Sequence, residues 1–201
     1  MQLWLDGFEI KNEILSFSDF QFIWSNLGKE LYQNKKLVYY VEIDGQPFYS
    51  DYETIIADNI DRIHEIKAYS ITFQNAILQS FSDMVGYINK LIASIPNLAD
   101  PFYAEPTPES WNLFQQFCEG INWLVHTAHL CLTLSETERE YFNVSTKLNS
   151  LMNRIPGLLR TIDNALQEQE YIMIADTIKY EIGPLLEEIT FLLKECGVAD
   201  A

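Results

Sequence analysis

Glu65-Ile66-Lys67-Ala68-Tyr69-Ser70-Ile71-Thr72-Phe73-Gln74-Asn75-Ala76-Ile77-Leu78-Gln79-Ser80-Phe81 decides the fold, because the spacing of its apolar residues changes within it. Up to Ile71 the alternation is that of a strand, with Ile66, Ala68 and Ser70 on one face and Glu65, Lys67 and Tyr69 on the other. From Phe73 the interval lengthens to three or four, and one stripe runs through Phe73, Ile77, Phe81, Met84, Ile88, Leu91 and Ile95. Thr72 is placed to cap the start of that helix. The chain is therefore read as α+β, with a small head over residues 1–71 and a helical body over 72–201.

Two Asp-Gly pairs organise the head. Asp6-Gly7 and Asp44-Gly45 each sit between short apolar runs, and both central residues of a type I′ turn need positive φ, which Asp tolerates and Gly accepts freely. Each pair predicts a hairpin. Pro47 cannot donate a ladder hydrogen bond, so the fourth strand belongs at a sheet edge. Between the hairpins Ser18 can cap a helix carrying Phe20, Ile23, Leu27 and Leu31, and a second short helix fits 52–58. With a last strand over 63–71, the order is ββαββαβ. That order resembles the β-grasp arrangement of ubiquitin-like modules over about a third of the chain. The C-terminal diglycine of those modifiers is missing here, so the resemblance implies a fold and no conjugation chemistry.

In the body the first helix is read as ending at Ile95, since Pro96 disfavours helical geometry in the residue before it. Pro101 and Pro106 make 97–105 a loop. Thr107-Pro108 then supplies an N-cap and a proline at the first helical position, opening a helix to about Leu134. Ser135-Glu136-Thr137-Glu138 reads as a capping box for a third helix. Its stripe is Tyr141, Val144, Leu148, Leu151, Ile155, Leu158 and Ile162, with a kink or short break at Pro156. After Gln169-Glu170 a fourth stripe holds Tyr171, Ile174, Ile178, Ile182, Leu185, Ile189 and Leu192. Pro184 removes the hydrogen bond to the carbonyl of Tyr180 and should bend this helix. Short connections favour an up-down antiparallel bundle of three to four long helices.

Composition narrows the function. Acidic residues number 29 against 13 basic, a formal charge of −16, which repels phosphate backbones and anionic headgroups. The expected partner is a protein, a basic one by charge, and neither nucleic acid nor a membrane. Cys118, Cys131 and Cys196 form no C-x-x-C pair and an odd number of thiols is a poor disulfide framework. The first residues carry no basic stretch and no continuous apolar run, so no signal peptide is expected and the chain is read as cytoplasmic.

Catalytic constellations are hard to find. The glycines are too far apart for a phosphate cradle, and Gly-x-Ser-x-Gly and Glu-x-x-His are absent. His126 and His129 lie about 60° apart on a helix of about 100° per residue, close enough for one metal ion, with Glu119 two turns back. A hydrogen-bonded polar stripe beside the core is the preferred reading of the pair. Cys118 reads as a small core residue, and His129 is about 16 Å along the same helix from it.

Two surfaces suggest recognition instead. On the last helix Asp176, Tyr180, Gly183 and Glu187 fall opposite the core stripe, either as a solvated acidic face or as a stripe that selects a basic partner. On the second helix Trp123, Leu130 and Leu134, with Gly120 and Thr127 nearby, lie off the main apolar arc. They suit a helix contacted from all sides or a homodimer interface. The expected function is thus a non-catalytic cytoplasmic interaction, scaffold or regulatory protein with no cofactor and no catalytic residues. The alternative is a small metal-dependent enzyme or metal-binding bundle using His126, His129 and Glu119.

Overall fold

In the computed structural model, which describes residues 1–14, 16–136 and 141–196, both Asp-Gly pairs turn hairpins. Asp6 and Asp44 take φ of 49° and 47°, and Gly7 and Gly45 take 84° and 85°, so all four central turn residues occupy the left-handed region that a type I′ turn requires. The strands they join are β1 (Gln2–Leu5) and β2 (Phe8–Lys11), and β3 (Lys36–Ile43) and β4 (Gln46–Phe48). β5 (Glu65–Thr72) lies between β1 and β3 in a five-stranded mixed sheet of order β2-β1-β5-β3-β4. It runs parallel to β1 and antiparallel to β3. Pro47 is on the edge strand β4.

Each turn aspartate does more than bend the chain. Asp44 Oδ1 accepts from the amides of His64 and Glu65 at 3.0 and 2.8 Å, where β5 begins. Asp6 accepts from the amide and hydroxyl of Ser70 at 2.8 and 2.6 Å, where β5 is ending. The central strand is thus fastened at both ends by the turns of its two neighbours. Its inward face, Ile66 and Ala68, closes a core with Leu3, Phe20, Val41 and Ile56. The helix α1 (Phe17–Gln33) covers that core, and α2 (Tyr52–Asn59) is tied to it by Trp24 Nε1 donating to Glu53 at 2.9 Å. The cap of α1 is Ser16, whose hydroxyl accepts from the Asp19 amide, so the helix starts earlier than Ser18 would place it. The reason is Asp19, which as third helical residue completes a reciprocal pair with Ser16.

By contact density the chain divides into Met1–Ala76 and Ile77–Ala201. At the change of period β5 passes directly into α3 (Phe73–Ala99), and Thr72 Oγ1 accepts from the Asn75 amide at 3.2 Å, the capping role read from the sequence. The end of α3 differs from expectation. Pro96 lies inside the helix, because Leu98, Ala99 and Phe102 beyond it are almost wholly buried. Their burial outweighs the hydrogen bond lost at the proline. The expected loop is accordingly short and contains a 3₁₀ turn, Asp100–Tyr103.

α4 (Pro108–Ser135) is capped by Thr107, which exchanges hydrogen bonds with Ser110. It continues through Ser135, whose hydroxyl bonds back to the Cys131 carbonyl, so Ser135 does not cap the next helix. Thr137 and Glu138 of the expected capping box lie outside the described residues. The third stripe divides into α5 (Phe142–Met152) and α6 (Ile155–Glu168), with the break at Asn153 and Arg154, so that Pro156 is the second residue of α6. Arg154, within the break, pairs with Glu188 at 2.7 Å.

The fourth helix is one helical run in three pieces: α7 (Tyr171–Asp176), a π turn (Thr177–Ile182) and α8 (Gly183–Lys194). In the π turn the Gly183 amide donates to the Ile178 carbonyl, five residues back. A regular α turn would drive the Pro184 ring into the Tyr180 carbonyl, and the wider turn relieves this. The extra residue also turns Gly183 inward, where a β-carbon would sit 3.1 Å from Ile95 Cδ1. Gly183 therefore belongs to the core and not to the acidic face on which its spacing placed it. The protein is α+β, an N-terminal mixed sheet followed by about six helices.

Burial pushes the Asp6 carboxyl up, but the Ser70 hydrogen bonds and the Lys36 charge outweigh it and hold the group below its ordinary value. A carboxylate lowered by folding stabilises fully above its unfolded value of about 3.9 and loses that contribution as pH falls through the folded value. Asp6→Asn keeps the turn residue and removes the titration. Urea unfolding of the variant at mildly and strongly acidic pH should show a shallower loss of stability than wild type; parallel losses would show the latch to be uncoupled from protonation.

A methyl on Gly120 of α4 would overlap the hydroxyl of Tyr87 on α3. Alanine gains about 1 kcal/mol of helix propensity over glycine, and the obstacle is the tip of a side chain that can swing. Gly120→Ala should therefore change stability little and displace Tyr87 from Trp123, whose ring it meets at 4.9 Å. A shifted Trp123 resonance in fluorotryptophan NMR, restored by adding Tyr87→Phe, is the expected readout.

Candidate functional site

The 3₁₀ turn and the start of α7 build a surface pocket of about 650 Å³. Pro101 at the second position fixes the turn, which closes with the Ala104 amide donating to the Pro101 carbonyl at 3.2 Å. The turn points Phe102 inward and leaves Tyr103 at the surface. Phe102 is fully buried and meets Trp111 at 5.1 Å, Phe114 at 5.8 Å and Tyr171 at 6.5 Å between ring centroids. This cluster is the rigid floor.

The opposite wall comes from a sharp helix end. Gln169 adopts φ 59°, its amide donates to Leu166, and the Glu170 amide donates to Ala165 at 2.8 Å. That is a Schellman ending with glutamine where glycine is usual. It lets α7 start at once and sets Ile172 (60% exposed) and Met173 at the mouth.

Polar groups edge the pocket. The Tyr103 hydroxyl donates to Asp176 Oδ1 at 2.7 Å. Lys179 pairs with Asp100 at 3.1 Å and stands 5.5 and 6.0 Å from the ring centroids of Tyr103 and Tyr180. The hydrogen bond to Asp176, with desolvation and Tyr180 adding to it, holds the Tyr103 phenol well above its ordinary pKa. Asp100 likewise raises the Lys179 ammonium against a smaller opposing desolvation. Tyr103 thus stays a neutral donor and Lys179 a cation at physiological pH. Neither is poised as a base.

Of the acidic stripe, Asp176 lines the pocket, Tyr180 (62% exposed) stands beside it across Lys179, and Glu187 is exposed further along α8 and outside the lining. The stripe on α4 is split. Trp123 and Leu130 remain 40% and 47% exposed, Leu134 and Gly120 are buried, and Tyr87 covers part of Trp123. His126 and His129 are both exposed, and Glu119 accepts from Gln115 at 3.0 Å. Among the described residues no three His, Cys, Asp or Glu side chains gather as a metal site. Burial pushes the Cys118 thiol up and the Cys131 thiol up to about 11, which keeps both protonated and unreactive.

Sequence reading missed the pocket walls. Phe102 and Tyr103 lay in what read as a proline loop, and no glycine flagged the turn at Gln169. The available signal was Ile172 and Met173, two adjacent apolar residues that fit no core stripe.

Residues 79–190, more than half of the chain, match the family described as Domain of unknown function (DUF8042). That span contains every residue of the pocket lining. No curated protein and no solved structure matches the chain. No helix among the described residues is long and apolar enough to cross a membrane.

The Tyr103–Asp176 bond has a direct signature. In a spectrophotometric titration Tyr103 should be among the tyrosines that ionise above the ordinary phenol range, with Tyr40, Tyr52 and Tyr69 also raised by desolvation, and Tyr103→Phe should remove one such component. Asp176→Ala should move it downward, since its largest cause is gone; an unmoved component would assign it to another tyrosine.

Proposed function

We propose that this chain, which belongs to the DUF8042 family of domains of unknown function, is a non-catalytic protein–protein interaction protein that docks its partner at the pocket beside Tyr103 and Ile172. The observation that carries this reading is the pocket itself, an aromatic floor around Phe102 with Ile172 and Met173 exposed at its mouth. Interfaces draw most of their binding energy from a few apolar and aromatic anchors seated in such concavities. Exposed apolar groups clustered around a cavity are otherwise a cost in solubility that a chain of charge −16 has no need to carry.

Supporting arguments come from chemistry and location. Tyr103 in the lining is held as a neutral phenol, and Lys179 beside the pocket is paired with Asp100. Free thiols at all three cysteines suit a reducing cytoplasm. For the head we infer a β-grasp fold, supported by the order β2-β1-β5-β3-β4 with parallel central strands.

Affinity capture from native cytosol, quantified for wild type and Ile172→Asp, tests the docking surface. Wild type should retain a partner that the variant releases, with thermal melting of the two alike because Ile172 is already exposed. A partner profile untouched by the substitution would remove the pocket from the function.

A further inference from the structure

Resting on that docking reading, the charges around the pocket identify the partner's chemistry. The lining holds two carboxylates, Glu170 and Asp176, and no lysine or arginine. Tyr103 uses one oxygen of Asp176, and a carboxylate accepts at both oxygens. Glu170 is exposed at the start of α7 and lines the pocket, its backbone carbonyl taken by the amides of Met173 and Ile174.

Alongside, the chain already shows what this surface accepts. Lys179 reaches Asp100 while lying within cation–π range of Tyr103 and Tyr180. Tyr103 belongs to both the pocket and this cradle. An apolar cavity with an aromatic floor, bordered by the carboxylates of Glu170 and Asp176 and by rings that already hold a cation, on a chain of charge −16, is complementary to one class of ligand.

We propose that the pocket binds a basic protein segment, one apolar side chain entering between Tyr103 and Ile172 while a neighbouring lysine or arginine pairs with Glu170 or Asp176. Lys179 is then the chain's own cation at the edge of the site. It weakens the local negative field, and a partner's cation must work against it.

Selection of random short linear peptides on the full-length protein, followed by NMR of its methionine methyls, tests this. Met173 lies at the pocket mouth, and the buried Met84 and Met152 serve as internal references. Selected peptides should place leucine, isoleucine, phenylalanine or tryptophan beside lysine or arginine, shift only the Met173 methyl, and weaken as salt rises. Glu170→Gln with Asp176→Asn should reduce their affinity by up to about fivefold per charge removed, the scale of an exposed ion pair. Lys179→Gln should strengthen binding by a similar factor.

Peptides that shift Met173 but carry no cation, or ignore the carboxylate substitutions, would overturn the basic-segment inference and leave docking intact. Weaker binding by Lys179→Gln would overturn the competing role of that lysine. Failure to select any peptide that moves Met173 would remove both the inference and the docking reading.

Discussion

Pro184 takes an N–H out of a helix whose inner face, from Ile174 through Leu193, is buried almost without interruption. Helix that deep cannot fray or solvate its unpaired carbonyls at low cost, and it cannot turn away without uncovering its apolar stripe. The π turn resolves the conflict by widening the backbone ring just before the proline. Thr177, whose hydroxyl bonds to the Met173 carbonyl at 2.7 Å, marks where the widening begins. The helical unit depends on this adjustment. Ile178 and Ile182 remain inside, and Gly183 lets Ile95 of α3 approach closely.

The same widening shapes the surface. Within the π turn lie Lys179 and Tyr180, and the added residue directs the lysine to Asp100 while leaving the tyrosine in solvent. Asp176, the last residue before the turn, meets Tyr103 from the 3₁₀ segment. Backbone irregularity and site geometry thus have one cause. On the far side of the pocket the left-handed Gln169 allows α7 to begin without a longer loop. Two irregular backbone positions bracket the pocket where Ile172 and Met173 stand exposed.

How far these features could be read in advance follows from what each rests on. The hairpins were legible because Asp-Gly has a specific local conformation. The buried stripes were legible because core positions repeat. The order of elements along the head, ββαββαβ, and the caps at Thr72 and Thr107 have local signals of the same kind. Tertiary burial overrode local rules at Pro96, where the apolar residues beyond the proline keep the chain helical. A phase change inside a helix is invisible to a fixed angular period, so Gly183 was assigned to the wrong side. The candidate site was half visible: Asp176 and Tyr180 stood out as an exposed pair. Phe102 and Gln169 act through packing and backbone geometry and left no pattern to read.

The head shows how a strand's place in the sequence sets when a sheet can exist. Asp6 reaches Ser70 across 64 residues, whereas each Asp-Gly hairpin closes over a handful. Loop closure makes the distant pairing the expensive one in chain entropy. Both hairpins can form as soon as they are made, yet each holds only one edge of a sheet whose middle is absent. β5 arrives last, joins them, and its first following residue opens α3. The sheet can therefore close only when the chain extends through β5. Until residue 70 is in place, β1 and β3 have no strand between them and Asp6 lacks its Ser70 partner.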